Sequence, residues 1–586
     1  MALTRRGSKK VIMKTWVRGI PGLLFLVFIG LGVTLHAEKR GNAGPSQAGA
    51  GFLIIATDRG YLGNREIKEV YAAFAKDYRA RLVFISLAED YEEAMRQKLK
   101  TALAELRAQG AGSIVVLPFV LSDADPYLKR AKALLGSLRE RLPFTPAMAA
   151  DYLTAQVLED RARAISKDPV KERLVVVGFG STDAREAAAI RQDLERLAQE
   201  TSGRRAFKET AIALFFHPAA ADEVLQASNR QATEIIRAAG SDKSLRAVVI
   251  PFYLGPKHTA SMQLGRRIES LLPDLNAAYE GLEILPHPNA LLWLKKTANR
   301  WIKPKREELG VVLMPHGAGE YVNEPILEAI APLRSRYNLE VAFGMADADT
   351  LQEAIDKVEG RGARRILVLR LYQLSLSLKE ETEYVLGLRN DPPAMHPHAG
   401  HGGPHLPARV RSGALLTTTG GFDADPLIAE VLYQRVMEVS REPERETVLL
   451  LAHGDGNDER DRYWLEQMGA QARYIRAKTG HRFRSIRVAT LREDWPDKRE
   501  KAVADIRRLI TQAGRDGDRV LVIANRLSGP GPYRRFLQGL VYVLNDRGIA
   551  PHPNLTRWIE KIIEGWIDGL GKAPLRNSAP GTAAAR

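Results

Sequence analysis

The 586-residue chain contains no cysteine. That removes disulfides, iron–sulfur clusters, thiol nucleophiles and Cys-based zinc sites from consideration. Any metal site must be built from His, Asp or Glu, a ligand set suited to Co, Ni, Fe or Zn ions rather than soft Cu(I). A dense Lys/Arg stripe interleaved with aromatics is also missing, so the basic balance does not point to nucleic acid. Aromatics make up 7% of the residues.

What is present is a basic chain of net charge +16, unevenly spread. Residues 1–40 hold eight Lys/Arg and one acid, leaving +9 for the remainder. The start, MALTRRGSKKVIMKTWVR, is positive, and IPGLLFLVFIGLGVTLHA is apolar. This pattern is expected of a secretory signal or an uncleaved membrane anchor over residues 1–37. Either would place the body on the extracytoplasmic side, the positive flank staying inside. A linker follows at 38–50, and the tail from Gly571 has a disordered composition.

Length implies several domains. Four short apolar strands each run into a polar or Gly-containing loop: FLIIATDRG, LVVVGFGSTD, GVVLMPHGAG and TVLLLAHGDG. After each comes a helical pattern, a second strand, a helix ending near Gly, and a third strand such as SIVVLPFVL or RVLVIANRL. Strands alternating with helices predict βαβ units with a parallel sheet. Near-continuous Val, Ile and Leu predicts strands covered on both faces. The expected architecture is α/β, four repeats at 51–168, 169–302, 303–445 and 446–570. The second and fourth share Pro-His-Pro-Asn and a later Trp, in ILPHPNALLW and IAPHPNLTRW. This predicts two bilobed halves, (1+2) and (3+4). Ligands of open parallel sheets sit at the carboxyl ends of the strands, where His316 and His453 fall.

These elements in this order resemble the class II chelatase superfamily, in particular its sirohydrochlorin cobaltochelatase and ferrochelatase group. The carriers are MPHGAG and LAHGDG, the acidic turns in SLAEDYEEAM and MADADTLQEAI, the GAGSIVVLPFVLS and GARRILVLRLYQLS stretches, and the closing helix DPLIAEVLYQRV. The resemblance implies four chelatase-like repeats over roughly residues 51–570. It implies insertion of a divalent metal (Co2+, with Ni2+ or Fe2+ as alternatives) into a carboxylated tetrapyrrole. The metal is then a substrate, and no organic cofactor is expected. Two histidines per site are implied, one in the His-Gly loop and one beyond the third strand.

No single repeat keeps both. His316 and His453 stand in the first position of repeats 3 and 4, and His258 near the second position of repeat 2. Pseudo-symmetry suggests that His316 and His453 share one cleft, with Glu320, Asp455 or Asp458 assisting. The insert MHPHAGHGGPHLP supplies His396, His398, His401 and His405, a composition that binds metals loosely. Lys257, Arg526, Arg534 and Arg535, with Arg59 and Lys379, are candidates to pair with substrate carboxylates. His217, His287 and His552 read as turn-fixing residues. Three functions stay open on the residues alone: a chelatase, a non-catalytic carrier of metal or tetrapyrrole, and a scaffold. The expected partners are a tetrapyrrole, a divalent metal and a membrane through the first segment, with no nucleic acid.

Overall fold

The computed structural model describes residues 49–216, 222–255, 264–393 and 407–572. The N-terminal segment, His217, Lys257, His258 and His396, His398, His401 and His405 lie outside the described residues. Among the described residues no helix is long and apolar enough to cross a membrane.

The four-repeat α/β architecture is present as four separate parallel sheets. The first strand of each repeat is central: Ala50–Thr57, Glu172–Gly180, Leu309–Pro315 and Glu446–Ala452. The second strand lies on one side and the third on the other. In repeats 2, 3 and 4 a short fourth strand extends the third (Ala277–Ala278, Leu415–Gly420 and Val543–Asn545). Sequence reading did not foresee it. Two or three paired residues suffice to lay it down in repeats 2 and 4, too few for a hydrophobic period to show. Every residue of the central strands of repeats 3 and 4 is buried. Helices cover both faces, which is why these strands carry no polar alternation.

The halves are built by exchange of closing helices. Repeat 1 closes with Tyr152–Ile165, which packs on the helix Ala184–Arg205 of repeat 2. Repeat 2 closes with Pro288–Asn299, which packs back on the first helix of repeat 1. Repeats 3 and 4 trade Pro426–Met437 and Pro553–Lys572 in the same way. Each traded helix ending an even repeat carries a buried Trp. Trp293 stacks on Phe119, centroids 6.0 Å apart, and Trp558 meets Phe422 edge-on at 4.7 Å. Each indole therefore sits in the core of the preceding repeat. Burying a side chain of this size contributes roughly 2–3 kcal/mol across the lobe boundary.

The Pro-His-Pro-Asn turns fix these helices. His287 Nδ1 accepts from the Asn289 N–H at 3.1 Å and its Nε2 meets Asp160 at 3.1 Å. His552 does the same with Asn554 (3.0 Å) and Gln434 (2.9 Å). In each case the cap ties one closing helix to the other.

The halves meet through residues 409–413, before the fourth strand of repeat 3. The Tyr152 hydroxyl donates to the Val410 carbonyl (3.0 Å), Asn299 donates to Gly413 (2.8 Å), and Arg409 pairs with Glu200 (2.6 Å).

Candidate functional site

The strands Leu309–Pro315 and Glu446–Ala452 each deliver a His-Gly at their carboxyl ends. The loop of repeat 4 is tightly built. Gly454 has φ +85°, and a Cβ there would lie 2.7 Å from the Thr490 side chain. At Gly456 a Cβ would lie 2.1 Å from the Trp495 indole. Arg492 donates to the carbonyls of Asp455 (2.7 Å) and Gly456 (2.9 Å), and buried Asp461 accepts the Asp455 N–H at 3.0 Å. The imidazole that leaves this loop is therefore aimed by its backbone.

His453 lies roughly parallel to Trp464, centroids 6.2 Å apart, and is edge-on to Trp495 at 6.1 Å. Its Nδ1 faces the Gly454 carbonyl at 2.8 Å. A carbonyl only accepts, so Nδ1 carries a hydrogen and the tautomer is set. The opposite nitrogen, Nε2, points at the Asp494 carboxylate, 2.9 Å away, with Glu493 at 4.0 Å. Burial pulls the imidazole pKa down. The Asp494 hydrogen bond, the Glu493 charge and the Gly454 carbonyl together outweigh burial and leave it above the ordinary value.

His316 belongs to the same electrostatic neighbourhood. Its pKa is lowered, first by desolvation, then by the positive charges of Arg526 and of His453. His316 is nonetheless solvent-exposed, which limits the size of that shift. Arg526 follows the third strand of repeat 4 and is ion-paired to Glu493. The structure thus assembles one neutral-leaning imidazole (His316), one imidazole held toward its charged form (His453), a guanidinium and two carboxylates. The two lobes also touch here: a Cβ on Gly529 would lie 3.0 Å from Val322.

The other sequence candidates are placed differently. Glu320 opens the helix Glu320–Ile330 and is exposed. Asp455 caps its own loop, accepting from the Asn457 N–H at 2.8 Å. Asp458 is held by Arg492 and Lys498, each at 2.6 Å. Arg534 pairs with Asp546 at 2.8 Å, and Arg535 lies over the Phe536 ring at 5.4 Å. Lys379 pairs with Glu383 one helical turn on. Asp494 and Glu493 escaped the sequence reading, as did both indoles. An acidic pair directly after a second strand, at the carboxyl edge of a parallel sheet, was the available signal.

In the front half the corresponding space is filled. Phe179 takes the place of His453 and packs edge-on against Tyr253, centroids 4.8 Å apart. Arg59, fully buried, crosses from repeat 1 to repeat 2. It donates to the Gly255 carbonyl (3.1 Å) and Glu66 (2.8 Å) and is paired to Glu283. Arg59 is thus engaged internally, and a ligand carboxylate cannot reach it. A small space beside them, lined by Asp125, Tyr127 and Phe179, has a volume of about 30 Å³, far below that of a ligand site.

Among the described residues no group of three His, Asp or Glu side chains is placed to hold a metal ion. His453 and Asp494 form a pair of donors, not a closed cage.

No family model matches the chain, and no curated protein does. Among solved structures it is similar to DR2241 from Deinococcus radiodurans, a multi-domain protein described as structurally similar to chelatases with two additional novel domains. The identity is 15% and the TM-score 0.30, over 47% of this chain and 57% of that one. It is also similar to SirB from Bacillus subtilis, solved with Fe3+, at 12% identity and TM-score 0.33, over 46% of this chain and all of SirB.

Proposed function

We propose that the cleft of repeats 3 and 4 handles a divalent metal ion for insertion into a carboxylated tetrapyrrole, with His316 and His453 as its working imidazoles. The observation that carries this reading is the fixed tautomer of His453. Nδ1–H is tied to the Gly454 carbonyl, so Nε2 is the nitrogen that can exchange its proton for a metal. Asp494, 2.9 Å from that nitrogen, is placed to take the proton or to become a second ligand. His316, leaning neutral, presents a lone pair near neutral pH, either to the metal or to a pyrrole N–H. His453 with Asp494 would offer an ion a pair of donors that does not enclose it, as an insertion step requires, since the ion must leave. Arg526 supplies positive charge at the same mouth for a substrate carboxylate. Co2+ is the metal favoured by the sequence resemblance, with Ni2+ and Fe2+ next. The export-like segment 1–37 adds to the proposal that the body works outside the cytoplasm.

The test is anaerobic Co2+ insertion into sirohydrochlorin by residues 38–586, followed by the change in visible absorption, beside His316→Ala and His453→Ala. Insertion above the spontaneous rate that either substitution abolishes supports the reading. Metal binding without acceleration would leave a carrier on the same fold. That outcome is the second reading, favoured by the lack of a three-ligand cluster among the described residues.

A further inference from the structure

Glu493 faces two ways. One of its oxygens, Oε1, is ion-paired to Arg526 Nη1. The other, Oε2, lies 4.0 Å from His453 Nε2, the nitrogen that also meets Asp494 at 2.9 Å. Glu493 follows the strand Ser485–Thr490, and Arg526 follows the strand Arg519–Ala524. The strand Glu446–Ala452, which delivers His453, lies between these two in the sheet. The ion pair therefore crosses over the carboxyl end of the strand that carries the imidazole. Gly531 makes room for the guanidinium, since a Cβ there would lie 3.2 Å from Arg526 Nη1.

Solvent reaches both ends of this arrangement. The side chain of Arg526 is 26% exposed and that of His453 30%. A guanidinium that is paired internally yet open to solvent is one for which an arriving carboxylate can compete. Such a competitor draws positive charge away from Glu493, whose second oxygen already faces the imidazole.

We propose that Glu493 is a reserve metal ligand, withheld by Arg526 until a substrate carboxylate takes that guanidinium. The proposal rests on the reading of His453 as a metal-handling imidazole. In the resting cleft an ion meets His453 and Asp494, while Glu493 stays neutralised at Arg526. This accounts for the lack of a three-donor group among the described residues. Once a carboxylate occupies Arg526, Glu493 turns to the ion as its third donor. Three protein ligands still leave a coordination position open to the acceptor. The ion sheds water as it gains each ligand, the Nε2 proton passes to solvent, and no electron is transferred. The ion is then held most tightly when the carboxylated molecule that will receive it is docked. By linkage, the ion tightens that docking by the same factor.

The test uses the full chain and Co2+, whose unpaired electrons shift the Nδ1–H proton resonance of a histidine that binds it through Nε2. The carboxylate probe is zinc uroporphyrin, a polycarboxylate whose ring already holds a metal. Its addition should tighten Co2+ at His453 by roughly 10-fold in the unaltered chain. In Glu493→Gln that tightening should vanish. Arg526→Gln should bind Co2+ roughly 10-fold more tightly without the probe, and the probe should add nothing further. Tightening that survives in Glu493→Gln would be bare charge attraction and overturns the proposal. So does a probe without effect on the unaltered chain, an arm that needs no substitution, or an Arg526→Gln chain that binds Co2+ no better. If Co2+ shifts the His453 resonance in neither the unaltered chain nor Arg526→Gln, the reading of the cleft itself falls, and this inference with it.

Discussion

Nε2 of His453 and Oδ2 of Asp494 stand 2.9 Å apart, at the ends of adjacent strands of one sheet. The contact makes the imidazole of repeat 4 unlike that of repeat 3. His316 is pushed toward neutrality by burial and by nearby positive charge, whereas His453 is held toward the charged form. Two imidazoles with pKa values displaced in opposite directions can divide acid and base roles. In the front half the same relationship cannot form, because Phe179 and buried Arg59 occupy that space.

The two shifts leave opposite marks on stability. A lowered folded pKa at His316 means that the unfolded chain binds more protons below pH 6.5, so stability rises with pH up to that point. A raised folded pKa at His453 contributes stability that is complete below 6.5 and is lost as pH rises through the folded value. Together their joint contribution to stability is greatest near pH 6.5. Asp494→Asn should lower the His453 pKa, measured by histidine-selective NMR, and flatten the decline above pH 6.5. An unchanged titration would mean that Asp494 does not set the charge of His453.

Gly454→Ala should cost on the order of 2 kcal/mol, combining the left-handed backbone with the clash against Thr490. It should also disturb the fluorescence of Trp464 and Trp495, the two indoles beside His453. Gly469→Ala, inside the helix Asp458–Lys478, is the control. A Cβ there meets only the Arg473 side chain at 3.7 Å, so the change should stabilise by up to about 1 kcal/mol through helix propensity. Equal effects of the two substitutions would show that the loop is not as tightly built as its contacts indicate.

The sheets were legible because strands buried on both faces write themselves as runs of Val, Ile and Leu, and repetition supplied the rest. The exchange of closing helices was not. It depends on where Trp293 and Trp558 find their pockets, and a linear pattern does not encode the partner of an amphipathic helix. The His-Gly loops were visible as residues, but the charge state of each imidazole depends on neighbours distant in sequence. Glu493 and Asp494 lie about forty residues from His453. Arg59 misled for the opposite reason. A lone Arg at a strand end looks available, and only the fold reveals that Glu66, Glu283 and Gly255 already hold it.

Asp125 caps the helix Pro126–Ser137 through the Tyr127 N–H, and burial pushes its carboxyl up to about 7. A raised carboxyl pKa destabilises the fold where the unfolded chain is already ionised. The Asp125 contribution should therefore decline as pH rises from about 4 to about 7, then level off. Asp125→Asn keeps a good cap and removes the ionisation. Some solvent reaches Asp125, which trims the gain, so the variant should be more stable at pH 8 by on the order of 1–2 kcal/mol. Thermal unfolding at pH 4 and pH 8 checks this, and an equal difference at both pH values would contradict it.

Arg59 is the stiffest test of how the front half is held together. Its guanidinium has no solvent exposure and bridges the lobes through Glu66, Glu283 and the Gly255 carbonyl. Replacing it with Met keeps much of the volume but takes the positive charge from Glu283, whose side chain is only 8% exposed. Breaking a buried pair from one side typically costs roughly 3–5 kcal/mol, because the remaining charge stays desolvated. Arg59→Met should therefore lower the thermal transition sharply. Adding Glu283→Gln should recover part of the loss, since the buried negative charge disappears with it. Arg59→Lys should recover little, because a single ammonium cannot reach three acceptors in the fork that guanidinium offers. If Arg59→Met proves neutral, the bridge is not what joins repeats 1 and 2. The exchanged helices and their Trp293 anchor would then carry that join alone.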